Sequence, residues 1–295
     1  MGATGATGHA LLIRLIEQGI PCRGLSRDPD RLRAMTAGAE VAYADAADTA
    51  SLRVAFEGAT QLFLTMVNSP AQVEHETRAI EIARECGIRH VVKLSAPAAA
   101  PDSPVGVSRW HHAIEQTLRA SGLEHTLLRP YAFMQKLPLL GPQVAARGTI
   151  LGAMGSAACN YIDARDIADV AAAALTRTEI AGGTYTLTGS RTYSYPELAN
   201  LLSGMLGTPV RYLVLSPADF RAQLIERSGM PGWLADHITE IQQLAVANPE
   251  HPTDTVARIL GRPPRSLESY VAENLDAFRA PTGAGYARPR SIRFQ

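Results

Sequence analysis

From His9 to Gln18 the apolar residues Leu11, Leu12, Leu15 and Ile16 recur at three- and four-residue spacing, with Gly19 just beyond. That spacing predicts a helix buried along one face and stopped at a glycine. The segment PCRGLSR then reads as a short strand, and DPDRLRAM as a helix restarted with Asp28 as N-cap and Pro29 in its first position. The alternation runs on through AEVAYAD (strand), a helix from near Thr49, TQLFLTMV (strand), QVEHETRAIEIAREC (helix, ended at Gly87), RHVVKLSA (strand), RWHHAIEQTLRASG (helix) and HTLLRP (strand). Strands separated by helices of about ten residues or more require crossover connections, hence a parallel sheet covered on both faces. The expected fold is α/β, a Rossmann-like doubly wound parallel sheet.

Beyond Pro130 the alternation weakens, which predicts a smaller C-terminal lobe over the carboxyl edge of the sheet. NYIDARDIADVAAAALT reads as a strand and an Ala-rich helix, with Asp163 and Asp166 at cap and third-position spacing. GGTYTLTG is a return strand, SYPELANLLSGMLG a capped helix and SLESYVAENLDAF a last helix. The expected division is a core over residues 1–152, remaining core elements and the smaller lobe over 153–279, and a disordered Gly/Pro/Arg-rich tail over 280–295.

The 295 residues are 46% hydrophobic and 19% charged, with Lys+Arg and Asp+Glu both at 28. A net charge of zero offers no basic surplus for nucleic acid or an anionic membrane. No apolar run reaches the roughly 18 residues of a membrane span, and a cytoplasmic location is expected. Cys22, Cys86 and Cys159 lack the spacing of a zinc site and are expected to be reduced core thiols, with no metal bound.

The candidate chemistry begins in MGATGATGHAL. Glycines allow a tight turn off a strand at Gly2, approach of a pyrophosphate at Gly5 and close packing of helix on sheet at Gly8, with free N–H groups at the helix start facing the phosphates. Dinucleotide binding is the expectation, and the core over 1–152 becomes an NAD(P)-binding one. After the next strand stand Ser26 and Arg27, where an NAD site would carry an acid. A guanidinium at that point suits the 2′-phosphate of NADP, while Asp28 has sufficient employment as a helix cap. NADP(H) is therefore the preferred cofactor and NAD(H) the alternative. Only Met1 stands where five or six residues of the first strand belong, between RGLS and LFLT in the sheet. The first strand is truncated on this reading, which predicts a true start upstream of Met1.

The segments GATGATGHAL, LSRDP, AYAD, APDSPVGVSRWHHAIEQTLRASGLEHTLLRPYAFMQ, IDARDIA and GRPPRSLESYVAENLDAF together resemble the NmrA-like branch of the atypical short-chain dehydrogenases, over roughly residues 2–279. Within it they are most similar to bacterial NAD(P)H-dependent quinone reductases and azoreductases. The resemblance implies that Gly2, Thr4, Gly5, Ala6, Thr7 and Gly8 hold the pyrophosphate and Arg27 the adenosine phosphate. It places Asp45 and Ala46 beside the adenine, and Thr65, Met66, Val67 and Ser95 along the cofactor. Tyr131, Phe133 and Met134 would approach the nicotinamide and the substrate. The bland alternatives are a turn role for Asp45 and core packing for Phe133 and Met134.

The chain departs from the wider superfamily at its Tyr-x-x-x-Lys dyad, where Val107 and His111 occupy the corresponding register. Trp110 and Ile114, four apart, are expected to define the buried stripe of that helix, leaving His111 as a flanking group and a weak proton-transfer candidate beside Tyr131. Hydride transfer to a quinone or azo compound needs chiefly the cofactor and orientation. The leading expectation is an NAD(P)H-dependent reductase of an aromatic small molecule, a monomer or a homodimer. The alternatives are a non-catalytic NADP(H) redox sensor and a biosynthetic tailoring reductase or isomerase.

Overall fold

The expected alternation is realised in a computed structural model, which describes residues 1–279; the tail 280–295 lies outside the described residues. The first half runs α1 (Ala6–Glu17), β1 (Arg23–Ser26), α2 (Pro29–Met35), β2 (Glu40–Tyr43), α3 (Thr49–Phe56), β3 (Gln61–Leu64), α4 (Gln72–Glu85), β4 (His90–Leu94), α5 (Gly106–Ala120) and β5 (Glu124–Pro130). There follow β6 (Ala132–Phe133), a 3₁₀ segment (Met134–Leu140), α6 (Gly141–Arg147), β7 (Thr149–Gly152), β8 (Ala158–Ile162), α7 (Ala164–Thr176), β9 (Thr184–Leu187) and β10 (Thr192–Ser194). The remainder is α8 (Tyr195–Leu206), β11 (Arg211–Val214), α9 (Pro217–Ser228), α10 (Gly232–Ala247), α11 (Thr255–Leu260), α12 (Leu267–Glu273) and a second 3₁₀ turn (Leu275–Phe278).

Local chemistry starts these helices where the sequence predicts. Asp28 accepts from Arg31 N at 3.0 Å with Pro29 beside it, and Asp163 accepts from Arg165 N at 2.8 Å. Ser194 and Glu197 close a reciprocal capping box at α8. Helix α5 begins at Gly106, a turn ahead of the expected Arg109.

Strands β3, β4, β5 and β9 pair in parallel, in that order, and β1 pairs in parallel with β2. Among the described residues no strand pairs with the inner edges of β1 and β3. Residues 1–3 run between these two parts: the Met1 amine donates to Phe63 O at 2.5 Å and Ala3 N to Leu25 O at 3.5 Å. Alternating residues of the central strands are buried on opposite faces, as a doubly wound sheet requires. Val91 and Leu127 pack with Ile80, Ile114 and Leu118 of α4 and α5, while Val92 and Leu128 pack with Leu11, Leu15 and Ile167 of α1 and α7.

A third core belongs to the lobe and gathers Met134, Leu137, Val144, Ile150, Tyr161, Leu198, Leu202 and Val271. Its framework is two small sheets, β10–β8–β6 and β11–β7. Helices α9 and α10 were not legible in the sequence pattern. Helix α10 ties the lobe to the core, where Glu240 accepts from Gly106 N at 2.8 Å and Trp233 lies 5.9 Å from Trp110 between ring centroids, and within the lobe Gln242 accepts from Ala153 N at 2.6 Å. No helix among the described residues is long and apolar enough to cross a membrane. The three cysteines are free, but only Cys159 is a buried thiol; Cys22 and Cys86 are half-buried, which corrects the core expectation for those two.

Candidate functional site

The glycine loop sits at the carboxyl end of β3. Gly2 has a positive φ of 73°, and a Cβ there would stand 2.5 Å from Thr65 O; a Cβ on Gly8 would stand 2.2 Å from Gly2 O. Both positions therefore exclude any side chain. Gly5 is the N-cap of α1 and supplies no side-chain cap, so the first N–H groups of a 12-residue helix are left open. A Cβ on Gly5 would meet nothing nearer than Gly2 O at 3.3 Å. The buried hydroxyl of Thr7 has no partner among the described residues. A bare helix start, a backbone without Cβ atoms and an orphaned hydroxyl fit a dinucleotide pyrophosphate.

The other expected cofactor positions follow the strand ends along one edge. Arg27 after β1 is exposed and makes no ion pair or side-chain hydrogen bond among the described residues, whereas Asp28 is occupied as the cap of α2. Asp45 accepts from Ala47 N at 3.0 Å, a turn role, and Ala46 O accepts from Arg78 at 2.8 Å. Thr65 and Met66 are half-buried and Val67 is exposed. Ser95 is buried, and its hydroxyl donates to Glu115 at 2.6 Å.

Beneath this edge lies a network that periodicity did not reveal. Glu115 is fully buried and is gripped by Arg129 through both carboxylate oxygens and by Arg119 at 3.0 Å. Burial alone would raise its pKa, but the hydrogen bonds from Arg129 and Ser95 outweigh this and hold it below the usual carboxylate value. Next to it Lys93, also fully buried, pairs with Glu76, donates to Leu94 O at 3.0 Å and lies 3.3 Å from His111 Nδ1. A lysine inside the apolar strand HVVKL was the available signal.

His111 is 6% exposed and lies on the buried face of α5 with Val107, Ser108 and Ile114, while Trp110 is only half-buried. This corrects the expected stripe. Burial, then the Lys93 ammonium and then His237 push its pKa well below the ordinary imidazole value. His111 is neutral at physiological pH and serves the Lys93 ammonium, so it holds no spare proton of an imidazolium. His237 on α10 is likewise pushed down to about 4 by burial and by Lys136. His112 occupies the adjoining face and lies 3.4 Å from Gln116.

At the far end of the edge, Tyr131 is half-buried just beyond β5, and its N–H donates to Leu187 O at 3.1 Å. Burial and then Glu250 raise its phenol above the ordinary value, so it stays protonated. Phe133 is half-buried against the α1–α7 core. Met134 is 1% exposed and belongs to the lobe core, which corrects its expected place in a substrate pocket. Asp163 acts as the cap already described, while Asp166 receives Arg262 and Arg265 from the chain between α11 and α12.

Comparison with known proteins places these features in a family. The sequence model of the NAD(P)H-binding family matches residues 2–178. The chain is 33% identical over 284 residues to the NAD(P)H azoreductase of Xenophilus azovorans, covering 95% of this chain and 98% of that one. It is 33% identical over 278 residues to the (4-alkanoyl-5-oxo-2,5-dihydrofuran-3-yl)methyl phosphate reductase of Streptomyces griseus, covering 94% and 97%. Among solved structures, the NADPH-dependent quinone oxidoreductase of Escherichia coli complexed with NADPH superposes with a TM-score of 0.84 at 27% identity, over 93% of this chain and 98% of that one. The glycine cradle and this full-length kinship together show that the chain belongs to the NAD(P)H-binding family and is an oxidoreductase related to the azoreductases and quinone reductases.

Proposed function

We propose that the protein reduces an electron-poor aromatic acceptor, a quinone or an azo compound, at the expense of NADPH. One observation carries the reading: the ionisable groups behind the edge are committed to one another, Lys93 to Glu76 and His111, and Glu115 to Ser95 and Arg129. A site so arranged suits a reaction that asks the protein mainly to bind and orient. When bound, the reduced nicotinamide supplies the hydride.

The chain's own residues then divide the work along the edge. Gly2, Thr4, Gly5, Ala6, Thr7 and Gly8 hold the pyrophosphate against the start of α1, and Arg27 takes the 2′-phosphate. Asp45 and Ala46 border the adenine, and Thr65, Met66, Val67 and Ser95 line the path towards Tyr131 and Phe133, which face the acceptor. Val107 and His111 replace the Tyr-x-x-x-Lys pair and leave the acceptor's proton to another source.

Purified protein is expected to consume NADPH, followed by its absorbance, when given simple quinones or azo dyes. Lack of turnover across a broad acceptor panel, with cofactor binding demonstrated, would overturn the reading. Arg27→Ala is expected to weaken NADPH binding by about 10- to 100-fold, the loss of a charge-assisted phosphate contact, while leaving NADH binding unchanged. Titration of each dinucleotide against the protein's tryptophan fluorescence measures both.

A further inference from the structure

Among the described residues the half-buried carboxyl of Glu250 has no ion-pair partner. It lies in the segment Asn248–Asp254 between α10 and α11, and that segment is laced onto the end of β9. Thr253 N donates to Thr188 Oγ1 at 2.8 Å, and Thr253 Oγ1 donates to Thr186 O at 3.1 Å. Glu250 Oε2 accepts from Asn160 N in β8, and Asn160 in turn holds Gly189 through its side-chain oxygen at 2.7 Å. The β6–β8 register pairs Ala132 with Tyr161, so Tyr131 lies level with Asn160. The Glu250 charge reaches the Tyr131 phenol at the rim where β5 and β9 end, which is the position the reductase reading gives to the acceptor.

The Glu250 charge raises the phenols of Tyr131, just beyond β5, and Tyr161 in β8 and the thiol of Cys159 in β8, none of them a cation. Among the described residues the other Glu250 oxygen, Oε1, makes no hydrogen bond. Burial pushes the carboxyl up to about 7, against the opposing Asn160 hydrogen bond. A carboxyl in this state is part-protonated near neutral pH, as a proton donor should be.

We propose that Glu250 protonates the acceptor as it is reduced, working beside the Tyr131 hydroxyl. The inference rests on the reductase reading. In the step, the hydride from NADPH brings two electrons to a quinone, and NADPH is oxidised to NADP⁺. The Glu250 O–H bond breaks as an O–H bond forms on the quinone oxygen, giving the hydroquinone and a Glu250 carboxylate that solvent reprotonates. An azo nitrogen takes the proton in the same way. Before transfer, the protonated carboxyl donates a hydrogen bond to the acceptor atom.

The test uses the full chain and Glu250→Gln, whose amide oxygen still accepts from Asn160 N. Wild-type kcat with a simple benzoquinone is expected to fall about tenfold per pH unit above about 7, while E250Q is slower by about 100-fold near pH 6 with a flat profile. A second readout needs no turnover: binding of the benzoquinone to the protein with NADP⁺, read by tryptophan fluorescence, should weaken through about pH 7 in the wild type and not in E250Q. Equal rates and pH profiles in the two proteins, or wild-type binding that ignores pH, overturn the role of Glu250. Wild-type binding with the expected pH step but no NADPH consumption overturns the reductase reading and leaves the hydrogen bond to the acceptor standing. If E250Q does not fold, Glu250→Asp is expected to keep the pH step at a lower rate, and a lost step overturns the proposal.

Discussion

Two carboxylates serve the same sheet edge and behave in opposite ways. Glu115 is fully buried yet held low in pKa, whereas Glu250 is half-buried and pushed up to about 7. The difference is partners. Glu115 is surrounded by Arg129, Arg119 and Ser95, while Glu250 has a single backbone N–H and three uncharged neighbours that ionise only to anions. Depth of burial alone would rank the two the other way round; the nearest cation decides the sign.

The comparison breaks most visibly where a pair loses one member. Lys93→Met leaves Glu76 buried with only the Gln72 amide as a partner and no cation, with an expected loss of about 3–5 kcal/mol in denaturant unfolding, much of it recovered when Glu76→Leu is added. A single variant that unfolds like the wild type would show that the pair contributes little.

The next effect in size concerns pH. The folded-state pKa of Glu250 is raised, so the stability it contributes is complete below the ordinary value of 4.5 and is lost as pH rises through about 7. E250Q should therefore gain about 1–2 kcal/mol on the wild type between pH 5 and 8 in urea titrations, the full effect of the shift being reduced by solvent screening at this half-buried site. Glu115 has the reverse sense: its pKa is lowered, so its contribution is present above the ordinary carboxylate range and is lost in acid. A difference between E250Q and wild type that does not change with pH would remove the contrast.

The smallest expected effect is at the rim of the paired network. Arg119→Ala removes an exposed i,i+4 partner of Glu115 and should cost about 0.5 kcal/mol or less, because Arg129 keeps both oxygens engaged. A loss above about 1.5 kcal/mol would mean that Glu115 depends on its outer cation as much as on its inner one.

The main sheet and its helices were legible because each rests on local information. Apolar spacing marked α1, and Asp28, Asp163 and the Ser194–Glu197 pair stand where helices begin. The glycine loop was legible for the same reason, since a positive φ at Gly2 and a backbone contact at Gly8 admit no other residue. The lobe was not. Helices α9 and α10 are held by contacts far apart in sequence, such as Gly106 with Glu240 and Ala153 with Gln242, which no periodicity records.

The amino-acid sequence by itself determined the doubly wound fold, the dinucleotide cradle and a basic residue at the end of β1, because all three depend on residues within one turn or one strand of each other. Tertiary structure alone decided which polar groups hold usable protons. It turned His111 inward onto Lys93, committed Ser95 to Glu115 and sent Met134 into the lobe core. It also brought Glu250, in a segment that reads as an ordinary loop, near enough for its charge to raise the phenol of Tyr131, more than a hundred residues away. Proton affinity is set by neighbours in space, and those neighbours are assembled only when the chain closes.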